Sequence, residues 1–114
     1  MKKILIVFLC LIMCGCENTK QNPKSNQLES IIEKNNYIIV DVRTEEEYNQ
    51  GHVVNSINIP VDEIDENIEL DKSKTILVYC QSGNRSGMAY NTLVSLGYVV
   101  YDLGAYSSIN LPKE

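Results

Sequence analysis

The sequence predicts an α/β domain, a central parallel sheet flanked by helices. Two observations carry the prediction. Tyr37–Val42 (YIIVDV) and Thr75–Tyr79 (TILVY) are continuous apolar runs rich in β-branched residues, as strands buried on both faces are. Stretches with helix-start signals or helical spacing alternate with these runs, and such alternation joins neighbouring strands in parallel. A length of 114 residues, 44% hydrophobic and 22% charged, allows one globular domain and little more.

The first sixteen residues stand outside that domain. Lys2 and Lys3 open the chain, Ile4–Met13 is apolar, and Cys14, Gly15 and Cys16 lead into the polar Glu17. A positive start, a short apolar stretch and small residues at its exit form a secretory signal pattern. As a helix, Ile4 to Cys16 would measure about 20 Å against a hydrocarbon core of roughly 30 Å, which is short for a spanning anchor. Met13-Cys14-Gly15-Cys16 resembles the lipobox of bacterial lipoproteins, with Met13 standing where Leu is usual. An ordinary signal peptide cut nearby is the alternative. The resemblance implies a signal peptide over residues 1–15, lipid on Cys16, and an exported protein held on a bacterial cell membrane by acyl chains. Cys10 and Cys14 would leave with the signal. Of four cysteines only Cys80 would then remain as a thiol, without an intramolecular disulfide partner. A lone exported thiol points to reactivity. Losing Lys2 and Lys3 takes the side-chain charge from −5 to −7, and no basic cluster offsets it, which excludes nucleic acid as a partner.

Glu17–Gln27 (ENTKQNPKSNQ) contains no apolar residue and reads as a flexible tether, so residues 16–27 link the lipid to a folded domain over residues 28–114. Leu28, Ile31 and Ile32 mark one face of a short helix, and the strand Tyr37–Val42 follows. Thr44 is an N-cap with Glu45, Glu46 and Glu47 in the first turn, and Thr44 with Glu47 has capping-box spacing. That acidic turn reads as a solvated helix start, and the helix stops near Gly51. Ser56–Ile59 is a short strand ended by Pro60, and Asp62–Ile68 a short acidic helix. After the strand Thr75–Tyr79, Ser86–Leu96 is helical with Ala89, Leu93 and Leu96 on one face and Gly97 closing it; Tyr98–Leu103 is the last strand.

The chemistry sits in Tyr79-Cys80-Gln81-Ser82-Gly83-Asn84-Arg85-Ser86. Cys80 ends a buried strand and Arg85 and Ser86 begin a helix. Ligands of open α/β sheets bind at the carboxyl ends of strands. A loop between strand and helix turns its backbone N–H groups inward as an anion nest. Gly83 permits a positive φ, and Arg85 adds a permanent positive charge. These features favour a thiolate at Cys80. A cysteine at the end of an apolar strand is otherwise a small buried hydrophobe, but the polar, cationic residues after it suit an anion better than they suit packing.

Here the chain resembles the rhodanese family of sulfurtransferases from about Leu28 to Leu103. Asp41-Val42-Arg43, Glu47-Tyr48, Gly51-His52-Val53, Ser56–Pro60, Tyr79–Ser86 as YCxxGxRS, and Leu96-Gly97-Tyr98 with Val100-Tyr101 match its motifs in order. The resemblance implies a rhodanese-like fold and a persulfide on Cys80, with Gln81, Ser82, Gly83, Asn84, Arg85 and Ser86 holding the substrate. It implies supporting roles for Asp41, Arg43 and His52, although His52, the single histidine, invites comparison with Cys–His nucleophilic pairs. The family's C-terminal Gly-Gly is Gly104-Ala105 here, and the Trp that often follows is missing.

The expected reaction is sulfur transfer from a small sulfur-containing anion such as thiosulfate to cyanide or a thiol acceptor, with no metal and no organic cofactor. Two other readings remain: a non-enzymatic carrier delivering persulfide sulfur to a protein partner, and a phosphatase or arsenate reductase of related fold. Four residues separate Cys80 from Arg85, whereas cysteine phosphatases place five there to admit a phosphate-sized group.

Overall fold

The computed structural model describes residues 22–114, and an α/β architecture is what it shows. The proposed signal peptide, the Cys16 lipidation site and most of the tether lie outside the described residues. Helix α1 (Ser25–Lys34) leads into β1 (Tyr37–Asp41), α2 (Glu45–Gln50), β2 (Ile57–Asn58), a 3₁₀ turn (Val61–Glu63), β3 (Thr75–Cys80), α3 (Asn84–Ser95), β4 (Val99–Ala105) and a second 3₁₀ turn (Tyr106–Ser108). The four strands form one sheet in the order β2-β1-β3-β4, every neighbouring pair parallel. From β1 the chain moves outward to β2, and from β3 it moves outward the other way to β4. The strand order therefore reverses between β1 and β3, and the crevice at their carboxyl ends is where such sheets bind ligands.

The strand pleat divides the core in two. Val40, Ile76, Val78 and Cys80 pack with Ala89, Tyr90 and Leu93 of α3. Ile39, Leu77 and Tyr79 point to the opposite face, where Leu28, Ile31 and Ile32 of α1 cover them. This is the period-2 alternation of strands covered on both faces.

Local chemistry sets the ends of each element. The capping box at Thr44 forms as expected, with Thr44 Oγ1 accepting from Glu47 N and Glu47 Oε1 accepting from Thr44 N. Gly97, at φ +97°, closes α3 with the two bonds of a Schellman motif, Gly97 N to Val94 O and Tyr98 N to Leu93 O.

Beyond shifts of one residue at strand ends, four differences from the sequence reading stand out. Helix α1 starts at Ser25, so Ser25–Gln27 belong to it and not to the tether. Helix α3 starts at Asn84, which brings Arg85 into its first turn. Strand β4 runs on to Ala105 past a bulge, because Val78 pairs with Asp102 while Tyr79 pairs with Gly104. Finally, Asp62–Ile68 is not a helix: only Val61–Glu63 makes a 3₁₀ turn. Asp62, Glu63, Asp65 and Glu66 would repel one another at helical spacings, and Asp65 Oδ1 instead accepts from Asn67 N in a local turn.

Candidate active site

Strand β3 delivers Cys80 to the crevice, and α3 begins four residues later. The turn between them depends on Gly83, at φ +103°. A side chain there would meet no atom within 4 Å, so glycine is required by the backbone conformation and not by crowding. The turn folds the loop back over the cysteine, and Gly83 N donates to Cys80 Sγ at 2.9 Å.

Cys80 is fully buried, with a relative exposure of 0%. Burial pushes its thiol up, but the Ser86 hydroxyl and the Ser86, Gly83 and Ser82 amides donate to the sulfur and together hold it below the ordinary range. The Ser86 hydroxyl is also within reach of Gly83 O, at 3.2 Å, and rotation about its C–O bond lets its one proton serve either acceptor. The nest expected from the sequence is present, and a side-chain hydroxyl completes it.

Arg85 lies close enough to Cys80 for the two to interact electrostatically, and it is also tied to a carboxylate. Its guanidinium grips Glu47 with two parallel bonds, Nη1 to Oε1 at 2.9 Å and Nη2 to Oε2 at 3.1 Å. Glu47, read from the sequence as part of a solvated helix start, is therefore also a wall of the site. The Arg85 bond, reinforced by the Thr44 amide, holds its carboxyl down to about 2. The capping-box spacing accounts for Glu47 locally, and only the match of Glu47-Tyr48 to a family motif pointed beyond it.

Asp41 and Arg43 form a buried unit at the end of β1. Arg43 Nη2 lies 2.7 Å from Asp41 Oδ2, and Arg43 Nε also donates to that carboxylate. The guanidinium also reaches outward: Nη1 donates to Gln81 Oε1 in the loop at 3.0 Å and Nη2 to Gly51 O, just after α2, at 2.6 Å. Tyr106 covers the guanidinium at 4.4 Å and stacks near Tyr79, at 5.8 Å between ring centres. Val53 N donates to Tyr79 Oη, and burial first, then Asp41, pushes that phenol up to about 12. Tyr106, which the sequence did not single out, is the aromatic that follows Gly104-Ala105.

His52 stands apart from the cysteine chemistry. Its ring stacks on Tyr48 at 3.8 Å, Nδ1 meets Tyr48 O at 2.9 Å, and Nε2 meets Glu114 Oε2 at 3.2 Å. Ser82 lies in the turn itself, and Asn84 is the first residue of α3. A cleft of about 310 Å³ opens beside the loop, lined by Arg43, Glu47, Gln50, Gly51, Gln81 and Tyr106. Among the described residues no three His, Cys, Asp or Glu side chains gather as a metal would need. The assembled groups can hold a sulfur anion by amide donors and offer it as a nucleophile.

Known proteins share this arrangement of chain. The model of the family described as Rhodanese-like domain matches residues 24–109. Thiosulfate sulfurtransferase PspE of Escherichia coli is 42% identical over 78 residues, covering 65% of this chain and 75% of that protein. Thiosulfate sulfurtransferase GlpE of Coxiella burnetii is 33% identical over 75 residues, covering 64% and 70%. A solved structure described as a rhodanese with anions from E. coli superposes with a TM-score of 0.64 at 40% identity, covering 68% of this chain and 96% of that one.

Proposed function

Because this chain belongs to the rhodanese-like domain family, we propose that it moves a sulfane sulfur from a donor such as thiosulfate, through a persulfide on Cys80, to cyanide or a thiol. Its class, a rhodanese-type sulfurtransferase, follows from the family together with the two thiosulfate sulfurtransferases it is similar to. The single observation that best supports the route is the buried Cys80 sulfur accepting from the Gly83 amide at 2.9 Å, inside the turn that leads into α3.

The Cys80 thiolate attacks the outer sulfur of thiosulfate. The S–S bond breaks, and sulfite leaves with its electron pair. Cys80 then carries the added sulfur as a persulfide anion, whose charge the same donors stabilise. Cyanide takes the outer sulfur, thiocyanate leaves, and the thiolate returns. Gln81, Ser82, Gly83, Asn84, Arg85 and Ser86 form the cradle, while Arg43, itself held by Asp41, holds Gln81.

The complete burial of Cys80 favours a second reading, a carrier that shelters persulfide sulfur for one protein partner. Thiocyanate formation from thiosulfate and cyanide separates the two: repeated turnover supports the enzyme, and a single equivalent per chain supports the carrier. Replacing Cys80→Ser is expected to abolish both, and activity surviving that change would refute the route. We place the protein outside the cytoplasm, held to a bacterial membrane by lipid on Cys16. The signal pattern and lipobox resemblance support that placement, and radiolabelled palmitate incorporation lost in Cys16→Ser tests it.

A further inference from the structure

The Arg43 guanidinium donates within its own plane, to Asp41, to Gln81 Oε1 at 3.0 Å and to Gly51 O at 2.6 Å. Its faces are held only by what packs on them. Two rings do so: Tyr79, 5.6 Å from the guanidinium carbon, and Tyr106, nearer at 4.4 Å. Tyr79 is fully buried, whereas Tyr106 is half-buried and lines the cleft together with Arg43 and Gln81. The Arg43–Gln81 bond thus borders that cleft, and water entering there competes for both partners. The residues after β4 fix Tyr106 in place. Ile109 N closes a 3₁₀ turn onto Tyr106 O at 3.2 Å, and Ile109 and Leu111 pack into the core. Lys113 then pairs antiparallel with Val53, while His52 and Glu114 exchange backbone bonds of 2.9 and 2.8 Å. Lys113 Nζ comes to lie 4.8 Å from the Tyr106 ring. A Cβ on Gly51 would stand 3.2 Å from Tyr106 Oη, so the ring closes down where glycine leaves room.

We infer that Tyr106 is a positioning residue for sulfur transfer: its ring holds and screens the Arg43 guanidinium and, through the Arg43–Gln81 bond, sets the loop beside Cys80. The inference rests on the Cys80 route proposed above and adds to it a residue from outside the cysteine loop. Tyr106 acts through Arg43 and touches neither the sulfur nor the donor. The role requires the electron-rich face of the ring, which attracts the cation, and not the hydroxyl.

The test follows sulfur transfer from thiosulfate to cyanide on the full chain. Tyr106→Leu keeps apolar bulk and removes the ring, and its kcat/KM is expected to fall about 5- to 10-fold, while Tyr106→Phe stays within about twofold of the unaltered protein. The same change is then made beside Gln81→Ala, which removes the group through which Tyr106 acts. In that background Tyr106→Leu is expected to cost less than about twofold. A second series keeps the shape of the side chain, placing at position 106 phenylalanines of increasing fluorine content, whose faces attract a cation progressively less. There kcat/KM is expected to fall with each added fluorine. An equal cost of Tyr106→Leu with and without Gln81→Ala, a Tyr106→Phe variant as slow as Tyr106→Leu, or, should the leucine variant not fold, rates independent of fluorination, would overturn the inference. If intact mass shows that thiosulfate does not load Cys80 of the unaltered chain, the sulfur-transfer route fails together with it.

Discussion

At Cys80 two opposing forces meet on one atom. Full burial favours the neutral thiol, while the Gly83 amide and the Ser82 and Ser86 donors around the sulfur favour the anion. The donors prevail, so the cysteine is expected to react as a thiolate at lower pH than an exposed one. Ser86→Ala removes the hydroxyl and leaves the amides. Its Cys80 is expected to alkylate about 3- to 10-fold more slowly near neutral pH, with the midpoint of the rate–pH curve moved upward. A curve that stays in place would assign the ionisation to the amides alone. Cys80 stood out as the candidate in the sequence because a lone cysteine precedes a polar, cationic turn that packing does not explain. Ser86 was legible as part of the loop but not as a donor to sulfur, since a hydroxyl's direction depends on where the helix begins. Arg85 was expected beside the cysteine, with which it interacts electrostatically, but its pairing with Glu47 was not foreseen. That pairing joins residues 38 apart in sequence, and no local pattern announces it.

Among the elements, strands were the easiest to read, because β1 and β3 are buried on both faces and leave unbroken apolar runs. The capping box and the closing glycine of α3 were legible for the same reason: their hydrogen bonds join residues close together in sequence. The stretch over residues 62–68 misled because its apolar spacing suits a helix while its carboxylates oppose one. The bulge in β4 was hidden, since register is set by the neighbouring strand. The turn at Gly83 is the element on which the site depends most. With no clash to relieve, Gly83→Ala imposes only the strain of a side chain at φ +103°. Its cost is expected to be about 1–3 kcal/mol in chemical denaturation. Sulfur loading should fall with it, because the amide of residue 83 would lose its aim at Sγ.

For the molecule as a whole, the order β2-β1-β3-β4 brings two distant motifs to one crevice, Asp41-Val42-Arg43 from β1 and the loop from β3. The Arg43–Gln81 and Arg85–Glu47 bonds fasten these halves across the sheet's end. Glu47 also links folding to acidity. Its carboxyl sits near 2 in the folded chain, below the roughly 4.3 of an unfolded glutamate, so its contribution is complete above that value and lost as pH falls toward 2. Urea midpoints between pH 5 and pH 2 are expected to fall more gently in Glu47→Gln than in the unaltered protein. Parallel slopes would assign the acid sensitivity to other carboxylates. The most direct measurement of the account is the intact mass of the protein after thiosulfate treatment. The unaltered chain should gain one sulfur atom, lost again on adding cyanide, and Cys80→Ser should gain none. Equal masses with and without donor, or a gain that survives the loss of Cys80, would contradict it.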